Sequence, residues 1–252
     1  MDNLINKIYN CNNKDILKDI PDKSVQIFLE DMPYGITACK WDTTPDLKEY
    51  WELHLSKIKD NGCFVLFGSE PFSSYLRMSN IKMYKYDWIW NKIIASGMQI
   101  AKYNPMKQHE IISIFGNKIL YKPIMEKMIK PEKYKCYTKS ESSPLKKNDG
   151  IQRIRDKKYP KTILSFSNAN KKGNISPTQK PIALFEYLIK TYSNENDLIF
   201  DGFSGSGTTA IACYNINRNF ICCEIDKGYY DKSMIRLNEV KKLKKENGGL
   251  LF

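Results

Sequence analysis

The chain has 252 residues, enough for one hydrophobic core and a smaller appended module. Its 42% hydrophobic and 12% aromatic content exclude general disorder. The formal net charge of +12 favours a polyanionic partner over a neutral one.

Strands and helices alternate through the first half of the chain. Short, mainly apolar runs predict strands at residues 7–11, 25–30, 63–67, 86–90 and 111–115. Amphipathic stretches predict helices near residues 15–20, 47–58 and 71–78. The strand at 25–30 runs into the sequence EDMPYGI, which places an acid and an aromatic residue side by side where a buried strand ends.

A lysine-rich segment follows these elements. Residues 118–161 contain 14 Lys and Arg and 5 Asp and Glu, so this segment carries 14 − 5 = +9 of the +12. It includes the turn-rich ESSPLKKNDG and lacks sustained periodicity except around YKPIMEKMIK. Such a run is usually a solvated face, but four interleaved tyrosines (residues 121, 134, 137 and 159) favour a nucleic-acid surface. We therefore predict an inserted module or large loop at residues 116–162.

The remaining elements complete an α/β pattern. Helices are predicted at residues 181–192, from Thr208, and at about 229–244, with strands at 198–200 and 220–223. Nearly all-apolar strands such as CFVLF and FICC are typical of a sheet covered on both faces. The predicted fold is a doubly wound α/β sheet with helices on both faces, in which ligands bind beyond the carboxyl ends of the strands.

Cysteine and histidine usage limits the site chemistry. The seven cysteines are odd in number and show no CxxC spacing, which is typical of a reducing compartment. With only two histidines, a zinc site is not expected. No basic segment leads into an apolar run at the start of the chain, and no apolar run approaches the roughly 20 residues of a membrane span. These observations predict a cytoplasmic protein.

The stretch LIFDGFSGSGTTA combines a strand end, a glycine-rich turn and a helix start. A phosphate-binding loop of the Walker type requires a lysine that is missing here. Gly205, Gly207 and Ala210 satisfy GxGxxA, and Glu224 ends the next strand, where a carboxylate holds ribose hydroxyls. The loop alone does not separate a nicotinamide dinucleotide from another adenosine cofactor, and a plain strand-to-helix connection stays open as well.

The position of this loop indicates a permuted fold. Only 45 residues follow Gly207, so most of the sheet comes from upstream, and DMPY precedes the loop. In this order the motifs resemble those of the amino-group DNA methyltransferases of the beta class, which use S-adenosylmethionine. DMPYG (31–35) resembles that family's catalytic Asp-Pro-Pro-Tyr, and DGFSGSGTT (201–209) its cofactor loop. PTQKP (177–181), KYNPMKQHEIISIF (102–115) and the opening at 8–25 also match, so the resemblance covers most of the chain outside the insert.

The resemblance implies three catalytic residues. Asp31 and the carbonyl of Pro33 would each accept one N–H of an exocyclic amino group, and Tyr34 would stack on a base swung out of the duplex. An initial Asp implies adenine N6, because relatives that act on cytosine N4 tend to have Ser there. Whether Asp31 also takes the proton stays open, as does an ordinary proline turn at the strand end. Met32 departs from the family's proline.

The resemblance also implies a cofactor site. Its candidate residues are Asn12, Asp31, Lys180, Asp201, Phe203, Gly205, Gly207, Thr208, Thr209 and Glu224. Glu224 would hold the ribose, Asn12 stands where relatives have an Asp that meets the adenine, and Lys180 would lie near the amino-acid end with the two threonines. Asp201 faces the ligand or caps local backbone, and packing is the favoured role of Phe203. Of the remaining conspicuous residues, His54 is predicted at the surface, His109 in a turn, and Trp41, Trp51, Trp88 and Trp90 in the core.

The implied function is site-specific adenine N6 methylation of double-stranded DNA. Residues 1–115 and 163–252 would form a Rossmann-like methyltransferase domain, and residues 116–162 a target-recognition region. Alternatives are an enzyme acting on cytosine N4, RNA or protein amino groups, an inactive DNA-binding homologue, and a nicotinamide oxidoreductase. A homodimer and a cognate restriction endonuclease are open partners, whereas no membrane and no metal are implied.

Overall fold

The structure, a computed structural model, describes residues 1, 3–35, 43–140, 143–168 and 179–246, without the side chains of 134–140 and 143–153. Trp41 and the first two residues of the 177–181 segment lie outside the described residues. The chain divides into two compact units, Met1–Lys122 with Thr162–Phe252, and Pro123–Lys161.

Ten strands occur in the described residues. They are β1 (Lys7–Tyr9), β2 (Val25–Glu30), β3 (Ile58–Gly68), β4 (Tyr84–Ser96), β5 (Lys107–Phe115), β6 (Glu126–Ser140), β7 (Ser143–Lys158), β8 (Ile163–Ser165), β9 (Leu198–Asp201) and β10 (Asn219–Cys223). Eight of them form the sheet of the larger unit, in the order β1-β10-β9-β2-β3-β5-β4-β8. Only β5 runs against its neighbours, and all other pairings in this sheet are parallel.

Helices cover both faces of this sheet. They are α1 (Asn13–Leu17), α2 (Leu47–His54), α3 (Phe72–Ser79), α4 (Ile182–Tyr192), α5 (Thr208–Asn215) and α6 (Lys227–Glu246), with a 3-10 turn at Met98–Ile100. Successive strand side chains point to opposite faces. Phe28 accordingly joins the core cluster of α1, α2 and α3, whereas Ile27 and Leu29 join that of α4, α5 and α6. The prediction of a doubly wound α/β sheet is confirmed.

The topology brings distant segments to one edge. Because β1, β2, β3, β9 and β10 are parallel, their carboxyl ends share one edge of the sheet, and antiparallel β5 begins there, with Ile111 opposite Gly68 of β3. Strands β2 and β9 are neighbours although the chain between them contains six other strands. The strand order reverses at this pair, which is where open α/β sheets bind ligands.

Two sequence predictions about α2 are wrong. The helix ends at His54, not at residue 58, because Ile58 begins β3 and pairs with Val25. His54 is 2% exposed, not at the surface, because it shares the inner face of the helix with Tyr50 and Trp51. His109 also differs, since it lies in strand β5 opposite Asn91 instead of in a turn. Among the tryptophans, the core prediction is confirmed for those at 51, 88 and 90, which are at most 5% exposed.

The smaller unit is a two-stranded antiparallel hairpin of β6 and β7. No strand was predicted here, because a two-stranded ribbon does not need the alternation of apolar and polar residues that a half-buried strand shows. The predicted insert at 116–162 contains the whole unit. Residues 123–161 contain 12 Lys and Arg and 5 Asp and Glu, a net of 12 − 5 = +7.

Candidate active site

Asp31 directly follows β2 at the carboxyl edge, and both of its carboxylate oxygens have a donor. The Tyr34 hydroxyl donates to Oδ1. The Lys180 ammonium lies 2.5 Å from Oδ2. The Asp31 side chain is 28% exposed, so the acid is reachable from solvent yet held in one orientation.

The rest of the DMPY motif is anchored by packing. Met32, the departure from proline, is 2% exposed and belongs to the core cluster of α1 to α3, which gives its apolar side chain a structural role. The Tyr34 ring stacks on Phe72, with centroids 5.3 Å apart and planes at 23°. A flat aromatic pair therefore stands beside the Asp31 carboxylate.

Lys180 connects Asp31 to two groups that sequence reasoning missed, Glu110 and Lys92. The Lys180 ammonium lies 3.4 Å from Glu110 Oε2, and the Lys92 ammonium lies 3.3 Å from Glu110 Oε1. Burial alone would raise the pKa of Glu110, but the Lys180 and Lys92 ammonium groups outweigh it and lower the pKa. Burial would lower the pKa of Lys180, but Asp31 and Glu110 raise it. These four groups form a chain of alternating charges.

The glycine loop between β9 and α5 has the predicted shape. Gly207 has φ of 72°, and a Cβ there would lie 2.9 Å from Ser233 Cβ, so both the backbone and the packing require glycine. Gly205 has φ of 49° and nothing within 4 Å of a built Cβ, so the loop leaves open space above it. The loop is tied to β10 through the Ser204 amide, which donates to Cys223 O at 2.9 Å.

Asp201 and the two threonines mainly stabilise this loop. Asp201 is 3% exposed and accepts from the Phe203 amide at 3.0 Å and from the Thr209 hydroxyl. Burial raises the Asp201 pKa to about 7. Thr208 is buried as well, and its hydroxyl donates to the Lys180 carbonyl at 3.4 Å. These contacts of Asp201 are local, and both roles foreseen for it, facing the ligand and capping local backbone, stay predictions.

Glu224 follows β10 and faces the same loop. Its carboxylate accepts from the Gly205 amide at 2.7 Å and from the Asp226 amide at 2.8 Å. Burial is the main cause that raises the pKa of this half-buried carboxyl group. Two backbone donors thus hold Glu224 in place while each oxygen keeps acceptor capacity.

Asn12 and Phe203 are the remaining candidates. Asn12 is exposed just beyond β1 and caps α1, accepting from the Lys14 amide at 3.0 Å. Its side-chain NH₂ keeps donor capacity beyond that cap. Phe203 is half-buried and packs against the core cluster of α1 to α3, as expected of a packing residue.

Sequence reasoning also missed the buried group next to Asp31. Glu30 is 0% exposed and accepts from the Gly202 amide at 3.0 Å and the Tyr50 hydroxyl at 2.5 Å. Burial raises the Glu30 pKa to about 8 and lowers the His54 pKa to about 4. His54 Nε2 lies 3.8 Å from Glu30 Oε1, but the two do not form an ion pair near pH 7, because burial keeps both neutral. An acid at the end of the apolar run VQIFLE was the available signal.

Two further observations concern the residues that the structure describes. Those residues contain no helix long and apolar enough to cross a bilayer. They contain no group of three His, Cys, Asp or Glu side chains that could hold a metal ion.

Comparisons with known proteins identify relatives over nearly the whole chain. Residues 25–235 match the model of a family described as DNA methylase, of the N6/N4 class. The chain is 28% identical to the type II methyltransferase M1.MboII of Moraxella bovis, over 94% of this chain and 98% of that protein. It is 26% identical to the type II methyltransferase M.BglII of Bacillus subtilis, over 90% of this chain and 67% of that protein.

Solved structures show the same fold. The crystal structure of an M1.HpyAVI complex with SAM aligns with a TM-score of 0.63 and 25% identity, over 92% of this chain and 98% of that one. The cytosine-N4-specific PvuII DNA methyltransferase aligns with a TM-score of 0.62 over 95% of this chain and 91% of that one. Its identity of 16% supports a shared fold alone.

Proposed function

Because the chain belongs to the DNA methylase family of the N6/N4 class, we propose that it transfers a methyl group from S-adenosylmethionine to the N6 amino group of adenine in double-stranded DNA. The observation that carries the proposal is the adjacency of Asp31 and the glycine loop. Asp31 follows β2, the loop follows β9, and these strands are neighbours. An acceptor for an amino group thus lies beside a loop suited to an adenosine cofactor.

The residues around the loop fit S-adenosylmethionine. The Glu224 carboxylate, already oriented by two amides, would accept from the ribose hydroxyls, and the exposed Asn12 would meet the adenine. Ser204 Oγ is buried without a hydrogen-bond partner among the described residues, and the space at Gly205 is open. Bound there, the cofactor supplies an activated methyl group on a sulfonium.

The DMPY residues would orient the acceptor. The amino nitrogen of adenine is a weak nucleophile because its lone pair is delocalised into the ring. Asp31 and the Pro33 carbonyl each accept one N–H, which favours a pyramidal nitrogen with an available lone pair. Tyr34 and Phe72 offer an aromatic surface to a base that has left the duplex. The work of the chain is therefore positioning and electrostatics.

The identity of the base separates the two activities of the family. Asp31 supports adenine, because it is the first residue of the tetrapeptide and relatives that act on cytosine N4 tend to have Ser in that position. The test incubates the protein and radiolabelled S-adenosylmethionine with duplex DNA and, separately, with RNA. The products are digested to nucleosides, and the methylated base is identified by mass spectrometry. N6-methyladenine is the expected product. N4-methylcytosine would overturn the adenine assignment within the same family, and methylation of RNA alone would overturn DNA as the substrate.

The basic hairpin supplies a candidate for target recognition. Its net charge of 12 − 5 = +7 suits the DNA backbone, with most lysines on phosphates and few side chains on base edges. The proposal includes site-specific methylation and a cytoplasmic location, in a prokaryotic cell or from a phage. A homodimer and a cognate endonuclease remain predictions that light scattering and co-purification would test.

A further inference from the structure

The Lys180 ammonium and the substrate amino group would both bind the carboxylate of Asp31. An ammonium 2.5 Å from Oδ2 is a stronger donor than the neutral N–H of an aromatic amine. If the proposed function holds, the substrate amino group must compete with Lys180 for this carboxylate. The structure therefore has to provide another place for the Lys180 charge.

Water cannot replace Asp31 as the partner of the Lys180 ammonium, because the ammonium is buried. Its side chain is 10% exposed, and the ammonium lies 5.4 Å from the centre of the Phe67 ring and 5.9 Å from that of Trp90. A buried charge released from its partner costs several kcal/mol unless a second partner receives it. The released ammonium thus needs an anion inside the site.

Glu110 is the carboxylate placed to receive it. Oε2 of Glu110 is buried and lies 3.4 Å from Lys180 Nζ, which is an ion-pair distance, and it has no hydrogen-bond partner among the described residues. Oε1 is held by Lys92 at 3.3 Å, so the carboxylate is anchored on one side and open on the other.

We propose that Glu110, anchored by Lys92, is a positioning residue that takes over the Lys180 ammonium when the substrate amino group binds Asp31. No proton moves in this exchange, and none of the charged groups changes its charge. The Lys107 ammonium also lies near Glu110 and Lys180 and donates to Ser69 Oγ. Glu110 touches neither substrate nor cofactor in this scheme. Glu110 acts by drawing the Lys180 ammonium away from Asp31, so that the substrate amino group can bind the Asp31 carboxylate.

The backbone beside Lys92 supports a dedicated anchor. Lys92 is 7% exposed, and the next residue, Ile93, has φ of 68° at a register irregularity between β4 and β5. A β-branched residue in the left-handed region is strained and persists only where its surroundings stabilise it. The Asn91 side chain does so by accepting the Ile93 amide at 3.0 Å. The strained backbone of Ile93 therefore lies directly beside Lys92, the lysine that anchors Glu110.

The test measures single-turnover methyl transfer by Glu110→Gln, Glu110→Asp and a matched control. Glu110→Gln keeps the shape and removes the charge, so the rate should fall roughly 10- to 100-fold. Dissociation constants for S-adenosylmethionine and duplex DNA should stay within about twofold, since Glu110 touches neither and phosphate contacts supply most of the DNA affinity. Glu110→Asp keeps the charge and should recover part of the rate. The control is Asp197→Asn, which removes a lysine-paired carboxylate of similar exposure to Glu110 at the opposite edge of the sheet and should be as fast as the parent.

A double variant separates positioning from simple charge balance. Glu110→Gln leaves the nearby lysines unbalanced and could weaken the fold, so Lys92→Met is added to remove the partner charge. The double variant should unfold like the parent and remain slow. A parental rate in either variant overturns the inference while leaving the proposed function intact. A parent chain that transfers no methyl group to DNA overturns both.

Discussion

The buried carboxyl group of Glu30 accepts the backbone N–H of Gly202, with 3.0 Å between Glu30 Oε1 and the amide nitrogen. This hydrogen bond joins the end of β2, one residue before Asp31, to the start of the glycine loop. A Cβ at Gly202 would lie 2.9 Å from the same oxygen and 2.6 Å from Asn13 Nδ2, so the close approach requires glycine. The two halves of the candidate site are thus fixed to one another in the protein interior.

The protonation of Glu30 predicts a pH-dependent stability. Its pKa is about 8 in the folded protein against a normal 4.5, so between these values the folded state keeps a proton that the unfolded state has lost. The free energy of unfolding should therefore fall with rising pH, by up to about 1.4 kcal/mol per unit well below pH 8 and by about half as much per unit at pH 8. Asp201, with a pKa of about 7, adds to the same slope near pH 7 and little near pH 8, whereas His54, with a pKa of about 4, acts mainly below pH 7.

Glu30→Gln, which carries a neutral amide, should lose this slope. The measurement is urea unfolding of the parent and the variant at pH 7.0, 7.5 and 8.0, values chosen to span roughly the last unit below the folded pKa. Equal slopes for the two proteins would show that the folded state holds no extra proton at Glu30 in this window and would contradict the raised pKa.

Asp31→Asn should slow methyl transfer roughly 10²- to 10³-fold. The amide oxygen is a weaker acceptor than a carboxylate, and the new NH₂ group opposes the incoming amino group. Single-turnover transfer to duplex DNA measures the effect, with Asp197→Asn as the control carboxylate. A rate near that of the parent would remove Asp31 from the catalytic assignment.

Tyr34 has two separable contributions, its ring and its hydroxyl. If the ring stacks on the base, Tyr34→Phe should retain most of kcat/KM, whereas Tyr34→Ala should lose about 1–3 kcal/mol, roughly 5- to 150-fold. Fluorescence of 2-aminopurine at the target position would report base flipping independently. Equal losses in both variants would instead assign the role to the hydroxyl that bonds Asp31.

Gly207→Ala should destabilise the fold more than Gly205→Ala. Both residues have positive φ, which costs an alanine about 1–2 kcal/mol. Only at Gly207 does the new methyl group also meet Ser233 Cβ at 2.9 Å. Chemical unfolding without cofactor measures the difference. Because Ser233→Gly itself weakens helix α6, the cost of Gly207→Ala is compared in the parent and in the Ser233→Gly protein, where the steric part should disappear. An equal cost in both backgrounds would contradict the packing argument.

Exposed lysines of the hairpin should contribute to DNA affinity without sequence preference. Lys127, Lys130 and Lys133 are exposed on β6. If each contacts a phosphate, replacing all three with Gln should reduce the slope of log K against log salt concentration by about 0.9 per lost contact. Fluorescence anisotropy over a salt series, with cognate and scrambled duplexes, measures it. An unchanged slope would place the DNA elsewhere.

Much of the fold followed from local patterns. The apolar runs of β2, β3, β9 and β10 and the amphipathic stretch of α3 were visible because burial on one or two faces imposes a period on the sequence. The hairpin of β6 and β7 was not visible in the sequence, because its strands lack a regular alternation of apolar and polar residues. The extent of α2 and the burial of His54 were mispredicted, because a polar side chain on an apolar helix face gives no local sign that a carboxyl group lies opposite.

The sequence by itself determined the α/β class, the motif order and the residues of the two motifs, because turn geometry and strand burial require particular residue types at fixed spacing. Only the tertiary structure decided which charges meet. Glu110 and Lys180 are 70 positions apart in the chain, and Glu30 and Gly202 are 172 apart. Ion pairs and buried hydrogen bonds depend on separations of a few ångström between side chains, and only the packed sheet sets those separations.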